Sequence, residues 1–121
     1  MNNYINNHSW SICVWVKSTN RNTPIICLSY GLRLFSGSNA CVNLYNYTRS
    51  VYCYSGKATN DGNWHHIVAT YDITTNKITM YIDGSYSNSE NYTSGYTYSS
   101  SWSNGLYIGR DPNNDTIDYF Y

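Results

Sequence analysis

Charge is scarce in this chain. Seven Lys and Arg balance seven Asp and Glu, 12% of the 121 residues together, so there is no concentrated basic face to follow a phosphate backbone, and nucleic acid is excluded as a partner. No segment approaches the roughly 18 consecutive apolar residues of a membrane span. Residues 1–9, rich in Asn, carry no apolar segment of the kind a signal peptide needs. Helical periodicity is missing as well, because no window keeps a 3.6-residue period for more than a few residues, which removes helical bundles and α/β folds. The four cysteines, Cys13, Cys27, Cys41 and Cys53, stand 14, 14 and 12 positions apart, so no Cys-x-x-Cys pair seeds a zinc site. Each falls inside a predicted strand, where a free thiol serves as a small apolar residue; a disulfide, which needs an oxidising compartment, is the alternative.

Tyr, Asn, Ser and Thr stand where charges would be, with 15 Tyr alone. Solubility then rests on amide and hydroxyl groups rather than on net charge, which leaves self-association as a standing tendency. The length suits one domain spanning residues 1–121, large enough to bury a two-layer core. Strand candidates recur every 8 to 14 residues: 10–17, 25–30, 32–35, 41–45, 51–54, 64–71, 77–83, 105–110 and 116–121. In the first of these Trp10, Ile12, Val14 and Val16 alternate inward against Ser11, Cys13, Trp15 and Lys17. The pattern predicts an all-β, antiparallel sandwich or barrel.

Residues 61–84 organise the chain. Asp61-Gly62 turns into a strand whose two faces are Trp64, His66, Val68, Thr70 and His65, Ile67, Ala69, Tyr71. The connection Ile73-Thr74-Thr75-Asn76 is short enough to return the chain antiparallel, with Ile78, Met80 and Ile82 facing the core and Asp83-Gly84 as the closing turn. By alternation Trp64, Val14, Val68 and Ile82 are the strongest inward positions, so Trp64 is expected to be largely buried beside Val14, Val68 or Ile82. His65 and His66 point to opposite faces and cannot chelate one metal together.

Trp64-His65-His66, Tyr71-Asp72 and Tyr81-Ile82-Asp83-Gly84 together resemble the signature of laminin-G-like jelly rolls in the concanavalin A-like lectin/glucanase superfamily. Residues Ser11-Ile12-Cys13-Val14-Trp15-Val16-Lys17 are similar to that family's early strand, Leu106-Tyr107-Ile108-Gly109-Arg110 to its late strand, and Ile117-Asp118 to the pair opening its final strand. The resemblance implies a jelly roll that is incomplete at its terminal strands, lacking an N-terminal strand and part of the C-terminal one. Such an edge pairs with a further copy or with sequence beyond these residues.

Some relatives in the superfamily are retaining glycanases, which need two carboxyl groups about 5–5.5 Å apart. This chain has a single glutamate, Glu90, and no strand with two acids at i, i+2 or i, i+4, so the expectation is a non-catalytic module. Relatives that bind calcium do so at loop ends. The oxygen-rich run at residues 111–118 makes Asp111 and Asp115 the candidate ligands, although Asp-Pro-Asn-Asn-Asp is also ordinary turn chemistry. Residues 85–104, read as a non-strand segment, place Tyr86, Tyr92, Tyr96, Tyr98 and Trp102 among Ser, Asn and Gly, the composition of a recognition surface. The alternative is that these tyrosines form outward rows of one more hairpin. The reading is a carbohydrate-binding module of a larger surface or extracellular protein, its partner a glycan. The alternative is a protein-interaction or structural module whose partner is a cell-surface protein.

Overall fold

The computed structural model describes residues 8–28, 31–45, 50–92 and 105–111. They form nine strands and no helix: β1 (Trp10–Lys17), β2 (Thr23–Leu28), β3 (Leu32–Ser36), β4 (Cys41–Tyr45), β5 (Ser50–Tyr54), β6 (Trp64–Asp72), β7 (Lys77–Ile82), β8 (Ser85–Asn91) and β9 (Leu106–Ile108). Two sheets result, with strand orders β1-β6-β7-β8 and β5-β4-β3-β2-β9. Every neighbouring pair is antiparallel. The all-β antiparallel sandwich expected from the strand spacing is the observed architecture.

Local chemistry makes the hairpins. Between β6 and β7 the Asp72 carboxylate accepts from the Thr74 backbone N–H at 2.9 Å and from the hydroxyls of Thr74 and Thr75 at 2.7 and 2.9 Å. Those bonds to its charged form hold Asp72 below the usual carboxylate pKa. Between β7 and β8, Asp83 and Gly84 both take positive φ, 53° and 77°, the two-residue turn whose twist matches antiparallel strands. Asp tolerates that conformation better than most residues because its short side chain bonds locally.

The core lies between the sheets. Val16, Ile67, Ala69, Tyr71, Ile78, Met80 and Ile82 come from the first, and Ile25, Leu32, Leu34, Val42, Leu44 and Cys53 from the second. The inward rows of β1 and β7 are those expected. β6 is not. Its core face is Ile67, Ala69 and Tyr71, and Trp64 stands on the outer face, 63% exposed. The reason is pairing: Val14, Ile12 and Trp10 lie opposite Ile67, Ala69 and Tyr71, and residues directly opposite share a face. With bulk on both faces of β6, the register to β1 decides, and side-chain size does not.

Two further expectations change. Residues 85–91 are strand β8 rather than loop, because the Asp83-Gly84 turn returns the chain along β7. Tyr92 is a core residue, 5% exposed and edge-on to Tyr71 at 5.6 Å. All four thiols are free, three buried and Cys13 exposed. Cys41 and Cys53 sit on adjacent strands but offset by one residue, so they point to opposite faces and cannot bridge.

Along one side of the sandwich the edge strands β5 and β8 are tied together, Ser87 Oγ donating to the Ser55 carbonyl and Asn88 Nδ2 to the Tyr54 carbonyl at 2.9 Å. Along the other, β1 and β9 leave an apolar cleft of about 450 Å3 between Val14, Val16, Ile25 and Ile108.

The corrected register is checkable by urea denaturation. Met80→Ala removes a fully buried side chain and is expected to cost about 2–5 kcal/mol. Trp64→Ala, on the exposed face, is expected to stay within about 0.5 kcal/mol of wild type. A Trp64 variant as damaging as the Met80 variant would refute the assignment of faces.

Candidate functional site

Of the residues expected to form a recognition surface, Tyr86 and Tyr92 are described, and they face different environments. Tyr86 is exposed on the outer face of the first sheet, edge-on to Tyr81, with its hydroxyl 3.2 Å from Ser89 Oγ. Tyr92 is buried between the sheets and offers a ligand no exposed face. Tyr96, Tyr98 and Trp102 lie outside the described residues, as does Asp115. Asp111 is described, and it is buried with its carboxylate 3.4 Å from the Arg33 guanidinium.

What the structure does assemble is a slot on the outer face of the second sheet, built on the row Phe35, Cys41, Tyr54 across β3, β4 and β5. Inward Cys53 sends its neighbours Tyr52 and Tyr54 outward, because successive side chains alternate. Their rings stand nearly parallel, 5.7 Å apart with 8° between planes, an offset stack that stiffens both. Each is about half exposed, 46% and 47%. Cys41 forms the floor, Phe35 the facing wall, and Asn22 and Asn39 complete the lining of a space of about 170 Å3.

The Asn39 amide is held in place by a hydrogen bond. Asn39 Oδ1 accepts from the Gly56 N–H at 2.7 Å, leaving its NH2 group as remaining donor capacity. Asn22 takes φ +50° and packs on Gly37, where a Cβ would meet the Asn22 nitrogen at 2.9 Å and its Oδ1 at 3.1 Å. Gly37 is tied in turn to Thr59, whose N–H donates to the Gly37 carbonyl at 2.8 Å. Burial pushes the Cys41 thiol up to about 12, so the floor is an uncharged and unreactive sulfhydryl. Sequence reasoning passed over this slot. Its signal was the Val51-Tyr52-Cys53-Tyr54 alternation, two tyrosines at i and i+2 around an apolar residue.

The laminin G form of the concanavalin A-like lectin/glucanases superfamily matches residues 1–121. The chain belongs to this superfamily. Similar solved structures include domains LG4-5 of the mouse laminin α1 chain, at TM-score 0.69 and 16% identity over 93% of this chain and 32% of that one. A putative carbohydrate binding protein from Bacteroides ovatus aligns at TM-score 0.67 and 20% identity over 84% of this chain and 31% of that one. The CBM40 of the Ruminococcus gnavus IT-sialidase aligns at 0.66 and 10%, over 82% of this chain and 62% of that one. The chain thus spans about a third of the first two and under two thirds of the last. No curated protein matches.

Among the described residues, no carboxylate lines the slot. None of the slot's six lining residues is acidic, and Glu90 belongs to β8 in the other sheet. Of the calcium candidates, Asp111 has its carboxylate facing the positive charge of Arg33, Asp115 lies outside the described residues, and among the described residues no three His, Cys, Asp or Glu gather as a metal site.

One ionisable cluster remains, at the start of β6. His65 Nδ1 lies 2.9 Å from Asp83 Oδ2 and Nε2 lies 2.9 Å from Asp61 Oδ1. The other Asp83 oxygen accepts from the His66 N–H at 2.8 Å. A neutral imidazole has one N–H, so donating to both carboxylates requires the imidazolium. With both nitrogens engaged it has no lone pair for a substrate proton, and the cluster is a clamp joining the Asp61-Gly62 and Asp83-Gly84 turns. The hydrogen bonds to Asp83 and Asp61 raise the His65 pKa above its ordinary 6.5. The Asn63 backbone N–H and then His65 lower Asp61 to about 2. His65 and then the His66 N–H lower Asp83.

The sign of the pH dependence follows. Stability from the raised His65 is complete below pH 6.5 and lost as pH climbs through its folded value; that from the lowered Asp61 and Asp83 is complete above 3.8 and lost as pH falls through their folded values, about 2 for Asp61. Thermal melts are expected to plateau between about pH 4 and 6.5. His65→Gln is expected to remove the alkaline decline specifically. An unchanged decline in that variant would disprove the clamp.

Proposed function

We propose that this domain is a non-catalytic recognition module that binds carbohydrate in the slot between Tyr52, Tyr54 and Phe35. One observation carries the reading: rigid, half-exposed aromatic rings stand beside oriented amides in a concave space without a carboxylate. An aromatic face can lie against the apolar C–H face of a pyranose while Asn side chains meet its hydroxyls. Retaining hydrolysis needs two carboxyl groups about 5–5.5 Å apart around the sugar, and the slot's lining holds none. Two similar structures, a putative carbohydrate binding protein and the CBM40 of a sialidase, support the class of ligand. The ligand position is thereby moved from the 85–104 stretch to the outer face of β3, β4 and β5. The setting we propose is a longer surface or extracellular protein.

A second reading, as a protein-interaction module, is favoured by the opposite edge. Among the described residues β1 pairs only with β6 and β9 only with β2. Beside their cleft, Leu106 and Ile108 are exposed, the latter 77%. Unpaired strand edges flanked by apolar side chains recruit further strands.

The first reading is tested by titrating a panel of glycans into the wild type and into Tyr52→Ala and Tyr54→Ala. Each variant is expected to weaken binding about tenfold or more, about 1.4 kcal/mol. Affinity is expected to be the same in calcium and in chelator, because Arg33 already holds Asp111. Chelator-sensitive binding would restore a calcium site, and glycan binding indifferent to both tyrosines would move the site elsewhere. For the edge, sedimentation is expected to show mass rising with concentration and returning to that of a single chain in Ile108→Lys; a monomer at all concentrations counts against it.

A further inference from the structure

Resting on the carbohydrate reading of the slot, we infer that it takes one uncharged sugar residue and selects neutral glycans against sialylated, uronic-acid and sulfated ones. The first half of the inference is size. The space is about 170 Å3, below the roughly 300–1,000 Å3 of pockets that enclose drug-sized ligands. It is closed on one side by the Tyr52-Tyr54 stack and on the other by Phe35, with the Cys41 floor between them. One ring enters; a neighbouring residue of the same chain finds no second aromatic wall in the lining.

The second half is charge. None of the six lining residues is ionised at neutral pH, since the one acidic group on the floor, the Cys41 thiol, is pushed up to about 12 by burial. Arg33 lies on the same outer face, two residues before Phe35, but its guanidinium faces Asp111 at 3.4 Å. Arg21 and Lys57 adjoin the rim in sequence, next to Asn22 and to the Ser55-Gly56 turn, and neither lines the slot. A carboxylate or sulfate entering would lose water and meet only amide donors, where anion recognition ordinarily relies on a guanidinium or ammonium partner. A hydroxyl meets in the same amides the donors and acceptors it needs. The amides therefore suit sugar hydroxyls, and the missing cation sets the preference.

The test uses the full chain and matched methyl glycosides followed by NMR of the Tyr and Asn signals. Neutral hexosides and N-acetylhexosides are compared with methyl sialoside, methyl glucuronide and a sulfated galactoside, at about 20 and about 500 mM salt. Expected is binding of a neutral glycoside, with anionic counterparts about tenfold weaker or worse. Salt is expected to change the affinity less than about twofold, and extension to the trisaccharide less than about threefold. Tyr54→Ala is expected to abolish the shifts while Tyr54→Phe, which keeps the ring face, retains them. An anionic glycoside that binds more tightly than its neutral parent, in a salt-sensitive and Tyr54-dependent way, overturns this inference and leaves the carbohydrate site standing. No glycoside shifting the Tyr52, Tyr54 or Asn39 signals overturns both.

Discussion

The antiparallel register of β1, β6 and β7 is the constraint on which the rest of the molecule depends. It sets three cross-strand rows, Val14-Ile67-Ile82, Ile12-Ala69-Met80 and Trp10-Tyr71-Ile78, and these are the surface against which the second sheet packs. A slip of β6 by one residue would turn Trp64, His66 and Val68 inward and put Ile67, Ala69 and Tyr71 in water. The hairpin turns resist that slip. Asp72 caps the β6-β7 connection with three hydrogen bonds, and the Asp83 carboxylate reaches back to both His65 and the His66 backbone.

Asp61, Asp72 and Asp83 stand at or beside strand ends, where they satisfy backbone donors; Asp61 and Asp83 also hold His65, and Arg33 is matched with Asp111. The outer sheet faces are left to aromatic and amide side chains: Tyr52 and Tyr54 stacked on one, Trp15 lying 4.9 Å from His66 on the other. So arranged, a low-charge chain offers ring faces and hydrogen-bonding groups at its surface, and the two edges of the sandwich also differ in character. The β5-β8 edge is tied by side chains bonding to backbone, whereas among the described residues the β1-β9 edge is lined by apolar side chains.

Much of the fold could be read from residue order. Strand existence followed from alternation, because one buried face forces a period of two. The hairpin at residues 61–84 followed from Asp-Gly turns around β-branched runs. The candidate site was not legible in the same way. Tyr92 looks like Tyr86 in sequence, and the two have the same parity, yet one is a core plug against Tyr71 and the other an exposed ring, since the β7-β8 register shifts between Met80 and Tyr81 and reverses the faces beyond that point. Tyr52 and Tyr54 carried a local signal, but the wall opposite them, Phe35, and the lip residue Asn22 come from strands and turns far away in sequence.

The sequence alone determined that the chain is an antiparallel β domain, because periodicity and turn chemistry are local and a strand of alternating residues has few other ways to bury its apolar side; the laminin-G-like kind came from the resemblance of its motifs. Only the tertiary structure decided which face of β6 is core, which tyrosines are available and which carboxylates are already partnered. Those outcomes depend on pairing between segments distant along the chain. Cross-strand register and sheet packing choose among faces that one strand, taken by itself, presents as equivalent.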